Sequence, residues 1–192
     1  MSDPTIPFLR GDNIYLRSLV PGDADGGYLG WFNDPEVCTH NQHHRIPFTK
    51  AEAQAYISAV QRFDNELVLA IVRTQDDRHI GNIALTRIDR VSRTAELAIV
   101  IGDRESWGRG YSKEASRLLL DHAFFELNLN RVCCGTFEAN QAMRRLATYL
   151  GMQEEGCRRE HVFKANRYHS IIDYGVLRHE YIERFGQPGA QK

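Results

Sequence analysis

The run Trp107-Gly108-Arg109-Gly110-Tyr111-Ser112 decides the fold of this chain. It follows a strand-like apolar stretch, Leu97-Ala98-Ile99-Val100-Ile101, and leads straight into a helical pattern. Two glycines one residue apart let the backbone turn tightly and approach a ligand with no Cβ between. The helix beginning there aims its unpaired N–H groups, and the positive end of its dipole, at whatever fills the turn. Such a turn suits a phosphate or pyrophosphate.

Outward from the turn, Tyr111, Ala115, Leu118, Leu119, Ala123 and Leu127 recur at the three-and-four spacing of a buried helical stripe. Arg131 to Phe137 reads as a strand. Asn140 then caps a helix carrying Met143, Leu146, Ala147 and Leu150, which Gly151 stops. Upstream, Asn13 to Leu19 alternates like a strand and Pro21-Gly22-Asp23 breaks it. A short helix with Tyr28, Leu29, Trp31 and Phe32 follows. Thr49 and Glu52 have capping-box spacing and open a helix with Ala53, Tyr56, Ile57 and Val60 on one stripe. Leu67 to Arg73 and Ile80 to Ile88 read as a hairpin around Gln75-Asp76-Asp77-Arg78, with Thr94 to Ile101 as the next strand. His161 to Ala165 and Tyr168 to Leu177 form a last hairpin around Asn166-Arg167. The pattern predicts one mixed α+β domain across residues 1–192, with its core at about 10–185 and a flexible tail at 186–192. Its sheet is mostly antiparallel and flanked by helices.

A chain of 192 residues, 42% hydrophobic and 26% charged, can bury a real core. Its net charge of -1, with both signs mixed throughout, argues against a bulk-charge nucleic-acid binder and against a polybasic membrane anchor. Cys38, Cys133, Cys134 and Cys157 lack the spacing of a zinc or redox motif and read as buried free thiols in a reducing compartment. Adjacent Cys133 and Cys134 would face opposite sides of a strand. Met1 to Arg10 holds no apolar run long enough for a signal peptide or a membrane span, so a cytoplasmic location is expected.

Three readings compete for the glycine turn. A dinucleotide fold wants a third glycine where Lys113 stands and an acidic residue ending the next strand. A nucleoside-triphosphate loop needs Gly-Lys-Ser/Thr, which is absent. An ordinary turn would suffice for an isolated Gly-x-Gly. The order strand, glycine turn, helix, strand, Asn, helix weighs against that last reading.

In that order, Glu96 to Met152 resembles the core of the GNAT acyltransferase superfamily, whose Arg/Gln-x-x-Gly-x-Gly/Ala loop binds the pyrophosphate of acetyl-CoA. The matching positions are Trp107, Gly110 and Ser112, and the chain departs from the pattern at the first and last of them. The Trp-Gly-Arg-Gly-Tyr form is similar to the RimJ/RimL branch, the ribosomal-protein N-terminal acetyltransferases and their relatives. Trp31 to Val37 and Tyr168 to Tyr181 resemble that branch as well. The resemblance implies the GNAT fold, a six- to seven-stranded sheet splayed at the acetyl-CoA site, between the strand ending at Ile101 and the strand Arg131 to Phe137. Main-chain groups of Ile99, Val100 and Ile101 would pair with the pantetheine. Trp107 and the N–H groups of Gly108, Arg109, Gly110, Tyr111 and Ser112 would hold the pyrophosphate, and Asn140 would contact the pantetheine arm besides capping its helix.

The implied reaction is direct attack of an amine on the thioester in a ternary complex. An amine of pKa about 8–10 is mostly protonated at neutral pH, so a base is needed. Glu96 is the candidate, on one strand face with Ala98 and Val100, where apolar neighbours would raise its pKa. The alternative is a Glu paired with an Arg nearby. A strand N–H at Ile99 or Val100 would meet the oxyanion. The family's general-acid Tyr position is Ala147 here, and the branch's alternative Ser is Met143. Tyr149 lies roughly 200° further around the helix from Ala147. The acid is therefore unassigned, and the leaving thiol, pKa about 8.5, can take its proton from water.

The resemblance implies a small-molecule or peptide amine as acceptor. His40, His43, His44 and Arg45 sit between the first two helices, where this family lines its acceptor cleft. The run reads as a solvated loop, as a metal site without guaranteed geometry, or as acceptor recognition. A nucleotide-sugar bearing an amino group, as in surface polysaccharide synthesis, would suit its His and Arg groups. A polyamine would want clustered carboxylates, and none stands out. The expectations are acetyl-CoA as cosubstrate, no metal, and a homodimer as a possible assembly. A non-catalytic acyl-CoA-binding module is the reading from a different class.

Overall fold

The computed structural model describes residues 6–60 and 65–187. A single sheet runs through them. In chain order its strands are β1 (Leu9–Arg10), β2 (Ile14–Ser18), β3 (Leu67–Arg73), β4 (Arg78–Asp89), β5 (Thr94–Ile101), β6 (Arg131–Phe137), β7 (Gln153–Lys164) and β8 (Arg167–Leu177). The helices are α1 (Tyr28–Asn33), α2 (Lys50–Val60), α3 (Tyr111–Asp121), α4 (Gln141–Tyr149) and α5 (Arg178–Phe185). The spatial order is β1-β2-β3-β4-β5-β6-β8-β7. All neighbours are antiparallel except β5 and β6.

One face of the sheet packs under α3, α4 and α5. Ala115, Leu119, Leu120, Leu146, Ala147 and Tyr181 meet Ile83, Leu97, Val132 and Tyr174 there. The other face is covered over β2 to β5 by α1 and α2, through Tyr28, Trp31, Phe32, Ala53 and Ile57. The Thr49–Glu52 capping box forms, with Thr49 N donating to Glu52 Oε2 at 2.7 Å and Glu52 N to Thr49 Oγ1 at 3.3 Å. Ala53, Ile57 and Val60 are buried as the stripe requires, whereas Tyr56 turns outward. Beneath α1, Asp23 and Arg17 form a buried bidentate pair, and His79 Nδ1 lies 3.3 Å from Asp23.

The sheet has eight strands rather than six or seven, because Leu9–Arg10 adds an edge too short to show any period. The last hairpin begins at Gln153, eight residues before His161. Register shifts after Glu154 and after Arg158 break its two-residue alternation. Its turn lies at Ala165-Asn166, both at positive φ (50° and 61°), as a two-residue hairpin requires, and not at Asn166-Arg167. Helix α5 follows the last strand, in a stretch of the expected core to which the sequence pattern assigned no element. Tyr181 is buried, and its hydroxyl donates to Asp121 Oδ1 at 2.8 Å. The expected tail falls largely on 188–192, outside the described residues. The cysteines are all free, but only Cys38 and Cys134 are buried. Cys133 is half-buried, and Cys157 is exposed on β7, an edge strand with little over it. No helix among the described residues is long and apolar enough to cross a membrane.

Candidate active site

The parallel ladder between β5 and β6 has three rungs: Thr94 with Arg131, Ala95 with Val132, and Glu96 with Cys133. Beyond them β5 stays with β4 as far as Ile101, and β6 stays with β8 as far as Phe137. The strands therefore part after Glu96, opening a V whose inner edges carry unpaired main-chain groups. Gly102 N donates to Ile80 O at 2.9 Å, and Val100 O lies against Gly81 of β4. Main-chain groups alternate from side to side along an antiparallel ladder. Val100 is thus turned to β4, while Ile99 and Ile101 face the V. The carbonyl of Ile101 accepts from Trp107 Nε1 at 2.8 Å. Of the three main chains expected to meet a pantetheine, Val100 points away and Ile101 keeps only its N–H. Ile99 presents both its groups.

At the open end of the V, Gly108 and Gly110 adopt φ of +73° and +86°, and nothing lies within 4 Å of where their Cβ atoms would stand. Positive φ is the reason for glycine here, and the clear space leaves the backbone approachable. Gly110 caps α3, its carbonyl accepting from Lys113 N at 3.0 Å and Glu114 N at 3.2 Å. The N–H groups of Gly108, Arg109, Gly110, Tyr111 and Ser112 have no main-chain partner among the described residues. Five consecutive free donors at a helix N-terminus are the chemistry that a pyrophosphate needs. Arg109 is drawn back, its Nε donating to Glu105 O at 2.9 Å. Glu114 fastens α3 to the start of β2, accepting from Asn13 N at 2.8 Å and Asn13 Nδ2 at 3.1 Å. Asn140 follows the end of β6 and caps α4, Oδ1 accepting from Met143 N at 3.1 Å. Its cap role leaves the amide nitrogen for another partner.

Glu96 stands at the apex, on the last shared rung. Its setting is not apolar. Arg87 Nη1 lies 3.0 Å from Glu96 Oε2, and the Glu96 side chain is 31% exposed, because Ala98 beside it is uncovered. The partner Arg comes from the end of β4, one rung from Thr86, which pairs with Glu96. Burial, then the negative charge of Glu96, pushes the Cys133 thiol above its ordinary pKa, so it is protonated.

The loop between α1 and α2 spans to the β7–β8 hairpin. Lys164 Nζ donates to the carbonyls of Cys38, Asn41 and His43 at 2.5, 2.6 and 3.0 Å. Arg45 Nη2 donates to Phe163 O at 3.1 Å. His43 packs on Phe32 with ring centroids 4.4 Å apart, and His40 faces Phe137 at 6.4 Å. Desolvation first, with the Lys164 ammonium adding to it, holds the pKa of both below the usual imidazole range. His44 takes positive φ (59°) and lines, with His43, Arg45, Phe32 and Phe48, a cavity of about 430 Å³. The described residues bring no three His, Cys, Asp or Glu side chains together around a metal. His43 and His40 are committed to separate aromatic rings.

A family model described as an acetyltransferase (GNAT) domain matches residues 13–153. The chain belongs to the GNAT acetyltransferase family. Like other GNAT acetyltransferases it uses acetyl-CoA. The Bacillus licheniformis protein named "Uncharacterized N-acetyltransferase p20" is 29% identical over 181 residues, 90% of this chain and 97% of that one. The "Putative ribosomal N-acetyltransferase YdaF" of Bacillus subtilis (strain 168) is 34% identical over 101 residues, 53% of this chain and 55% of that one. The crystal structure of spermidine N-acetyltransferase from Vibrio cholerae in complex with CoA and spermine shares the fold. It has a TM-score of 0.79 at 23% identity, covering 88% of this chain and 98% of that one.

In this GNAT domain the two positions at which the family resemblance would place an acid hold Ala147 and Met143. Ala147 is fully buried and Met143 packs against the core. The Tyr149 ring meets Lys113 Nζ at 4.8 Å and the Phe185 ring at 5.8 Å, so it faces α3 and α5. Sequence reasoning offered an Arg partner for Glu96 only as the alternative, which Arg87 now fills, and it missed Lys164. Lys164 reaches its partners across 121 to 126 residues, and no local pattern announces that.

Proposed function

We propose that this GNAT acetyltransferase is RimJ/RimL-like and transfers the acetyl group to a primary amine of a small molecule or a peptide, with Glu96 as the base. One observation carries the reading. The β5–β6 ladder ends at Glu96 and Cys133, so the carboxylate stands where the cofactor cleft begins. The free main chain of Ile99 lies three residues along, and the glycine turn lies at the far end. The pantetheine would pair with Ile99, and its pyrophosphate would take the five N–H groups from Gly108 to Ser112. The amine nitrogen attacks the thioester carbon as Glu96 accepts its proton, directly or through a water. The Ile99 N–H stabilises the oxyanion. The C–S bond then breaks, and the thiolate of coenzyme A leaves and is protonated by solvent. The likeness to YdaF, a putative ribosomal N-acetyltransferase, supports a RimJ/RimL-like role. The four free cysteines fit a reducing, cytoplasmic setting.

The experiment is release of free coenzyme A thiol over an amine panel, with wild type and Glu96→Gln. Expected are turnover by wild type and a loss of about 10² to 10⁴ in kcat for the variant, with acetyl-CoA affinity unchanged. Unaltered turnover by Glu96→Gln removes the base assignment.

A further inference from the structure

The sheet face that carries Glu96 continues, past the apex, over β6, β8 and β7, and no helix of the described residues packs on it there. Three carboxylates stand there, and each already has an arginine. Glu96 is held by Arg87, Glu155 by Arg131, and Asp173 by Arg158. Two of these pairs are bidentate and lie flat on glycines. Arg131 and Glu155 lie over Gly175, so close that a Cβ there would meet both within 2.6 Å. Arg158 and Asp173 lie over Gly135, where a Cβ would stand 2.8 Å from Arg158 Nη2 and 3.0 Å from Asp173 Oδ1. Gly135 belongs to the stretch of β6 that has left β5, so this second pair lies at the lip of the V. Arg158 donates through Nε to Asp173 Oδ2 at 2.9 Å and through Nη2 to Oδ1 at 2.7 Å, and its Nη1 lies 3.0 Å from His161 Nε2. The pair is open to solvent, with side chains 46% and 35% exposed.

We infer that the acceptor is zwitterionic, an amine whose carrier also bears a free carboxylate, and that the Arg158–Asp173 pair recognises both charges. The inference rests on the acetyl-transfer reading of the V and names its substrate class. Arg158 takes the acceptor's carboxylate through its planar fork, and Asp173 takes the ammonium before the amine is deprotonated. Two ion pairs replace one pair plus a solvated zwitterion, and no protein charge is left unpartnered. A polyamine offers no such exchange. To reach a carboxylate on this face it must displace a guanidinium, and it brings no carboxylate of its own to replace the lost partner. Each of Glu96, Glu155 and Asp173 thus comes with a cation that a polycationic acceptor would have to displace. The glycines at 135 and 175 are the room that lets the flat pairs lie on the sheet.

The test uses the full chain with acetyl-CoA and thiol detection. Its acceptors are free amino acids and dipeptides, the same compounds as C-terminal amides, and spermidine. The acids are expected to exceed their amides and spermidine by tenfold or more in kcat/KM. Arg158→Gln is expected to bring the acid-to-amide ratio to near one, and Arg158→Lys to keep part of it. The KM for acetyl-CoA and the melting temperature stay those of wild type. Asp173→Asn, which leaves the arginine in place, is expected to raise KM for every acceptor in the set. Amides or spermidine used as well as the acids, or a ratio retained by Arg158→Gln, would overturn the charge assignment and leave the acetyltransferase reading standing. Failure of wild type to release thiol with any amine overturns both.

Discussion

Replacing Lys164 by Met keeps the length of the side chain and removes its charge and its three donors. The ammonium spends all three N–H groups on the carbonyls of Cys38, Asn41 and His43. Hydrogen bonds from a charged donor are worth about 1.5–3 kcal/mol each when their loss leaves a buried partner unsatisfied. Here the loop is largely exposed from Thr39 to Pro47, so the freed carbonyls can turn to water. Burial also works against the ammonium, holding the Lys164 pKa below its usual range. The three bonds together are then worth about 2 kcal/mol to loop closure, or roughly a 30-fold shift toward the open form. Hydrogen exchange reads this directly, because the N–H groups of Cys38, Thr39 and His43 are bonded within the loop, to Asp34 O, Glu36 O and Asn41 Oδ1. Their exchange should rise about 30-fold in Lys164→Met while β3 and β4 stay at the wild-type rate. Acceptor KM should rise and acetyl-CoA KM stay constant. Unchanged exchange at these amides would refute the latch, and a rise spread equally over β3 and β4 would show that Lys164 holds the whole fold instead.

Gly110→Ala forces a Cβ into left-handed backbone at φ +86° with no steric clash. Calorimetry should show a loss of about 1 kcal/mol, or a fall of roughly 2–4 °C in melting temperature for a chain of this length. Coenzyme A should bind at least tenfold more weakly by titration calorimetry. Wild-type affinity would remove the glycine turn from the cofactor site. The buried Asp23 sets an acid limit. Burial works to raise its pKa, but hydrogen bonds from Arg17, His79 and Val20 N outweigh this and hold the carboxyl well below the usual range. A depressed folded pKa stabilises above the unfolded value of about 3.9 and is lost as pH falls below it. Circular dichroism melts should therefore weaken progressively below about pH 4. Asp23→Asn should lose about 3 kcal/mol at pH 7, since Arg17 is left buried and unpaired, and should show a flatter acid limb.

What the chain determined by itself was local. Positive φ at Gly108 and Gly110, the Asn140 cap, the Thr49–Glu52 box and the stripe of α3 each depend on residues within a turn or two of one another. Those signals carried the strand–turn–helix at Trp107 to Ser112, and with it the cofactor. The tertiary structure decided the rest, because strand pairing is a competition among partners far apart in sequence. The V exists because β5 continues along β4 and β6 along β8 beyond the third rung while their facing edges part. Alternation then turned Val100 toward β4 and left Ile99 to the cleft. The same pairing brought Arg87 to Glu96, Arg131 to Glu155 and Arg158 to Asp173. Lys164 reached a loop more than a hundred residues away. Charges joined across strands leave no period in the sequence. The sequence therefore left an apolar and an Arg-paired Glu96 both open until the strands were side by side.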